Sequence, residues 1–114
     1  MSDLNKLDAA IKEIADARLA LWATQKGLKD TEENLKEAAE RMEEAEKAMT
    51  DELRANPNSP DARRACANYG GLMALVISVE EKIQETKKKL VDAEKRDAKS
   101  PVKYREARRN MKST

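Results

Sequence analysis

The chain has 114 residues, 39% apolar and 39% charged, with 3% aromatic and no Phe, and its 23 basic and 22 acidic side chains leave a net charge of +1. That length holds one domain at most. So few aromatics among so many charges argue against a compact aromatic core and favour long, solvent-exposed helices. A single cysteine, Cys66, rules out an internal disulfide. The N-terminus shows no apolar leader, and no run of about 18 apolar residues could cross a bilayer, so a cytoplasmic location away from membranes is expected.

Charge is spread unevenly. Residues 1–56 carry fourteen acids and nine bases, residues 57–100 seven acids and nine bases, and residues 101–114 five bases against Glu106. An acidic first half followed by a basic remainder favours the two lying side by side.

Ser2 followed by Asp3 is an N-cap signal. From there to about Ala55 there is no Pro, and the only Gly is Gly27. Some fifty such residues would make a rod of roughly 75 Å. Leu7, Ile14, Leu21, Leu28, Leu35, Met42 and Met49 recur every seven residues. Three residues after the first six of these stand Ala10, Ala17, Thr24, Thr31, Ala38 and Ala45. This large-then-small alternation is a coiled-coil seam that needs a partner helix.

Asn56-Pro57-Asn58-Ser59-Pro60 ends the first helix. Ser59 can cap the next one, with Pro60 as its first residue and Asp61 in its first turn. The second helix carries a matching pair of rows: Ala62, Tyr69, Val76, Ile83 and Leu90, with Ala65, Leu72, Val79, Thr86 and Ala93. Folding about Asn58 pairs residues whose numbers sum to roughly 116, so that large side chains interdigitate across the seam. Near Ser100-Pro101 the helix is expected to stop and restart, with Tyr104, Ala107 and Met111 as the stripe of a short third helix. The final Ser113-Thr114 should fray. The expected fold is therefore all-α: a long antiparallel coiled-coil helical hairpin in one domain. Helix one covers about 3–55, the turn 56–60, helix two about 61–99, and a short basic helix or tail 101–112.

Three features exceed what a two-helix coil needs. Within Leu72 to Val79, Met73, Leu75 and Ile77 fall off the seam, and a helix apolar all round must be buried all round. The alternative is that Gly70-Gly71 ends a helix and a β-strand follows; the unbroken heptad phase favours helix. Ala15, Leu19 and Trp22 form a patch about 130° from the seam, either an interface anchor or a surface covered by Tyr104 and Met111 folded back. Gly70-Gly71 costs about 1 kcal/mol per residue relative to Ala, as a tolerated kink or as a site where another backbone comes close. Together these features point to self-association into a helical-bundle oligomer, a dimer foremost, with the Trp22 patch of one protomer against the 73–77 patch of its partner.

No catalytic, cofactor-binding or metal-ligating set is evident. The chain has no His, which removes the commonest general base and, with one Cys, a tetrahedral zinc site. Glu40 and Glu44 share a helix face, yet an exposed pair without a pocket is a solvated face. Gly70-Gly71 alone is no phosphate cradle. Arg63 and Arg64 near Cys66 could lower its pKa, although a small flank residue in the core explains it as well. Lys103, Arg105, Arg108, Arg109 and Lys112 could grip phosphates, with Tyr104 for stacking; equally, they could neutralise helix one or meet an acidic protein. Ser100-Pro101-Val102-Lys103 reads as a proline-directed phosphorylation site or as a helix cap.

The layout resembles that of prefoldin-type chaperones, helical hairpins with β-hairpins at the join, in that Tyr69-Gly70-Gly71 and Leu72 to Val79 sit where such a strand would start. The five-residue turn before residue 61 and the lack of sequence for paired strands depart from that pattern. The expected function is that of a non-enzymatic protein–protein interaction module (adaptor, assembly scaffold or chaperone), with Leu19, Trp22, Met73, Leu75 and Ile77 at its interface. Small bacterial secretion chaperones and phage assembly proteins share the build by analogy of shape. The alternative is a nucleic-acid-binding accessory protein using residues 103–112.

Overall fold

The computed structural model describes residues 2–112, apart from the side chain of Lys112. It contains two helices, α1 (Asp3–Ala55) and α2 (Pro60–Lys112), each of 53 residues, packed against each other as a helical hairpin. The Ser2 hydroxyl accepts the Asn5 amide at 3.2 Å and so caps α1. At the turn, Asn58 donates its amide to the Asn56 side-chain oxygen at 3.2 Å, and Ser59 donates to the Asn56 carbonyl at 3.1 Å. The Ser59 hydroxyl then accepts the Ala62 amide at 3.0 Å, with Pro60 in the first helical position where its missing N–H costs nothing.

Burial follows the heptad rows. The small row of α1 is closed except at Thr24, which is half-buried: Ala10, Ala17, Thr31, Ala38 and Ala45 are buried, Ala17 completely at 0% exposure. The large row, Leu7 to Met49, is half-buried throughout. Two helices cover one side of a large side chain and leave its outer edge in water. On α2, Ala62, Leu72, Val76 and Ile83 are buried. Residues 72–79 are helical, so among the described residues the strand alternative has no counterpart. Gly70 and Gly71 lie within α2, and a Cβ at either would meet nothing within 4 Å. Within the chain, then, no backbone comes close to them.

The expected stop at Ser100-Pro101 is absent, because α2 runs on to Lys112 with Pro101 inside it. Proline removes the N–H that would bond to the carbonyl four residues back, at Asp97. The Ser100 hydroxyl donates to that same carbonyl at 2.9 Å and takes the missing donor's place. Heptad phase also carries through the proline: Asp97, Tyr104 and Met111 extend the Ala62–Leu90 row, and Ser100 and Ala107 extend its companion. The basic segment is thus the last turns of α2 and not a separate helix. Ser113 and Thr114, expected to fray, lie outside the described residues.

The hairpin divides into two compact units. Unit 1 comprises residues 1–28 and 86–114, and unit 2 residues 29–85. In unit 1, Arg18 Nε donates to Asp97 Oδ1 at 2.9 Å, a pair whose numbers fit the expected register.

Candidate functional site

Both apolar patches foreseen from the sequence are on the surface, in different units. In unit 1, Leu19 is 59% and Trp22 57% exposed. Of the two readings of the Trp22 patch, cover by a folded-back C-terminal segment is absent: Tyr104 and Met111 continue the seam, where with Arg108 they line a shallow cavity against Leu7. In unit 2, Met73, Leu75 and Ile77 are exposed.

Two members of the unit 1 patch were missed. Leu4 and Ile11 are as open to solvent as the residues foreseen. Leu4 and Trp22 are eighteen residues apart, five whole turns, and Ile11 falls about 20° from the line joining them. The spacing was available in the sequence, but each residue taken singly passes for an exposed aliphatic next to a seam.

Heptad positions show on which side of the hairpin these residues lie. With Leu7 and Ala62 at position a, Ala10 and Ala65 are at d, and the positions flanking the seam are e and g. Glu13 and Arg96 are both g residues. Their fork, Arg96 Nε to Glu13 Oε2 at 2.8 Å and Nη2 to Oε1 at 2.7 Å, shows that the two g flanks meet in unit 1. Asp92, Lys95, Lys99 and Lys103 surround it. The Arg96 hydrogen bond holds the Glu13 carboxyl below its ordinary pKa against the desolvation that opposes it, with the fields of Arg96 and Lys103 adding to the effect. The same hydrogen bond raises Arg96. The e flank is the opposite side, and there unit 1 carries Leu4, Ile11 and Pro101, with Ala15 and Trp22 at the adjoining b positions.

The basic end of α2 is more extensive than its last turns. From Lys87 to Lys112 the chain has eleven bases and four acids. Unit 1 as a whole holds fifteen bases and eight acids, and unit 2 eight bases and fourteen acids, or +7 against −6. Charge therefore segregates between the units more sharply than between the two halves of the sequence. Lys103, Arg105, Arg108 and Arg109 are exposed; of Lys112 only its place at the helix end is described. Tyr104 is half-buried in the seam, its hydroxyl accepts from Arg108 Nη1 at 3.0 Å, and with Arg105, Arg108 and Arg109 it lines a shallow surface concavity.

Cys66 is exposed, not a core residue. Ser100, 2% exposed and bonded to the backbone, is closed to a modifying enzyme. Among the described residues no group of three or more Cys, Asp or Glu could hold a metal ion, and no helix is long and apolar enough to cross a membrane. No family model, curated protein or solved structure matches the chain.

Proposed function

We propose that the protein is a non-enzymatic interaction module, an adaptor, assembly scaffold or chaperone that holds another protein through apolar surface outside its seam. The observation that carries this reading is the solvent-exposed pair Leu19 and Trp22 on α1, with Leu4 and Ile11 exposed further along the same helix, since a tryptophan beside an aliphatic side chain is the composition of an interface hot spot. The seam residues hold the hairpin together and give little ground for choosing a partner. The test is affinity purification from the native host with the wild-type chain and with a Leu19→Ser/Trp22→Ala variant of unchanged helicity. A protein recovered with the first and lost with the second supports the reading. A partner retained by both removes these residues from the interface.

The charge of unit 1 favours a second reading, that of a nucleic-acid-binding accessory protein. Eleven bases along one helix segment supply the electrostatic footprint that phosphate contacts require. Binding to DNA or RNA that weakens steeply with salt and is lost in an Arg105→Ala/Arg108→Ala/Arg109→Ala variant would promote it. No binding at low salt would remove it.

A further inference from the structure

We infer that the partner seated on the e flank is a second copy of this chain, with unit 1 of one copy against unit 2 of the other. This rests on the interaction-module reading and names an occupant for the Trp22 surface. The first support is the pattern itself. A helix in a two-stranded coil needs apolar residues at a and d only, whereas a helix facing the core of a four-helix bundle adds e or g, a wider stripe of about three positions in seven. In unit 1 the g flank is filled by charges and bridged by Glu13–Arg96. Its e flank mixes Leu4, Ile11 and Pro101 with Arg18, Lys87, Glu94 and Arg108, and the apolar part is widened by Trp22 at b. In unit 2 the same flank carries Leu53 and Met73 at e and Ile77 at b, all exposed. Each unit thus carries exposed apolar side chains on the third stripe of a bundle helix, interspersed with charges.

The second support is that the seam is unfinished. Every large residue of the Leu7–Met49 row remains half-buried while its small companions other than Thr24 are closed. Packing a second hairpin over the e flank would remove more of that apolar surface from water.

Charge decides the orientation. Unit 1 is +7 and unit 2 is −6, so two copies laid like upon like would set a large repulsion against the apolar contact, and unlike upon like would remove it. At the e positions unit 1 presents Arg18, Lys87 and Arg108 against Glu94, and unit 2 presents Glu32, Glu46 and Glu80 with no base. The adjoining b positions carry Arg105 and Asp8 in unit 1 and Lys29, Lys36, Arg63 and Glu43 in unit 2. A polynucleotide would answer the bases of unit 1 but would leave Trp22, Ile11 and the whole surface of unit 2 unexplained.

The test uses the full chain in sedimentation equilibrium alongside emission from Trp22, the chain's only tryptophan. The expected result is a mass of two chains, with Trp22 emission moving to shorter wavelength over the same concentration range. Two charge-reversed variants are then compared, Lys87→Glu/Arg105→Glu/Arg108→Glu in unit 1 and Glu32→Lys/Glu46→Lys/Glu80→Lys in unit 2. Each alone should self-associate at least about tenfold more weakly, and an equimolar mixture should recover a two-chain species. That recovery also shows that both variants fold. A single-chain mass at every concentration, or reversed variants that associate as well as the wild type, overturns the inference. So does nucleic acid that co-purifies and displaces the second copy. If the chain stays single while the Leu19→Ser/Trp22→Ala variant still loses its protein partner, the second copy is excluded and the interaction-module reading stands.

Discussion

The two units solve the same packing problem with opposite means. In unit 2 the closed positions include the branched side chains Leu72, Val76 and Ile83, so a good part of its apolar bulk is inside. In unit 1 the closed positions are Ala10, Ala17 and Ser100, and the seam row includes Asp97, while Leu4, Ile11, Leu19 and Trp22 face solvent. Unit 1 is tied across its helices by Arg18–Asp97 and Glu13–Arg96. Partly exposed ion pairs of this kind stabilise weakly and are screened by salt, whereas aliphatic burial contributes about 25 cal/mol per Å² removed from water. Both units leave apolar side chains in water, and they differ in how much aliphatic bulk is closed within the seam. Amide exchange should show the difference, with residues 86–112 exchanging through openings of lower free energy than residues 62–85.

Removing aliphatic bulk from each seam is the strongest way to break that contrast. Ile83→Ala in unit 2 should destabilise the hairpin by about 3 kcal/mol, the usual cost of emptying a buried aliphatic site. Leu90→Ala in unit 1 truncates a half-buried side chain and should cost about half as much. Urea unfolding followed by circular dichroism measures both. Equal losses would mean that unit 1 relies on its aliphatic seam as much as unit 2 does.

A second test concerns the polar core of unit 1. With Pro101 in place, the Asp97 carbonyl depends on the Ser100 hydroxyl, so Ser100→Ala should cost about 1–2 kcal/mol. Pro101→Ala restores the backbone donor, and in that background Ser100→Ala should be nearly neutral. The double-mutant cycle isolates the substitution of hydroxyl for amide. Strict additivity would mean that Ser100 acts by packing alone.

The same pair shows what was legible in the sequence. The heptad rows of both helices, their caps and the Asn56–Ser59 turn could all be read in advance, because seven-residue periodicity and cap chemistry are local signals. The stop at Pro101 was misread because a proline's missing donor can be replaced by a neighbouring hydroxyl, and only the backbone geometry shows that it is. The phase of Asp97, Tyr104 and Met111 carried the contrary signal, but a seam row containing Asp is easily discounted. Of the candidate residues, Leu19, Trp22, Met73, Leu75 and Ile77 stood out in the sequence because they broke the pattern, and all five are exposed. Leu4 and Ile11 escaped because they sit next to the seam. The segregation of charge was legible as an acidic first half and a basic remainder, and grouping the two ends against the middle of the chain sharpens it slightly.

Glycine offers a smaller perturbation, this time stabilising. Gly27 lies in unit 1 and Gly71 in unit 2, and a Cβ at either position would meet nothing within 4 Å. Ala in place of either should add just under about 1 kcal/mol through helix propensity. If the units open separately, Gly27→Ala should slow amide exchange chiefly in residues 86–112 and Gly71→Ala chiefly in residues 62–85. Uniform slowing from both would mean that the units open as one.

The weakest effect belongs to pH. Glu13 is held below its ordinary pKa of 4.5 by the Arg96 fork in unit 1. Because the folded carboxyl is the stronger acid, its ionised form favours folding. That contribution is present in full above the ordinary value and disappears as pH falls through the lowered one. Both side chains of the pair are in contact with solvent, so the loss in stability is slight and a carbon-detected NMR titration of Glu13 is the sharper readout. Its midpoint should lie below 4.5 in the wild type and return towards that value in Arg96→Gln. Over the same acid range, exchange should quicken in residues 86–112 before it does in residues 62–85, since the pair that loses its charge ties unit 1 alone. A Glu13 midpoint unchanged by Arg96→Gln would mean that the fork does not persist in solution, leaving Arg18–Asp97 to bridge the helices of unit 1.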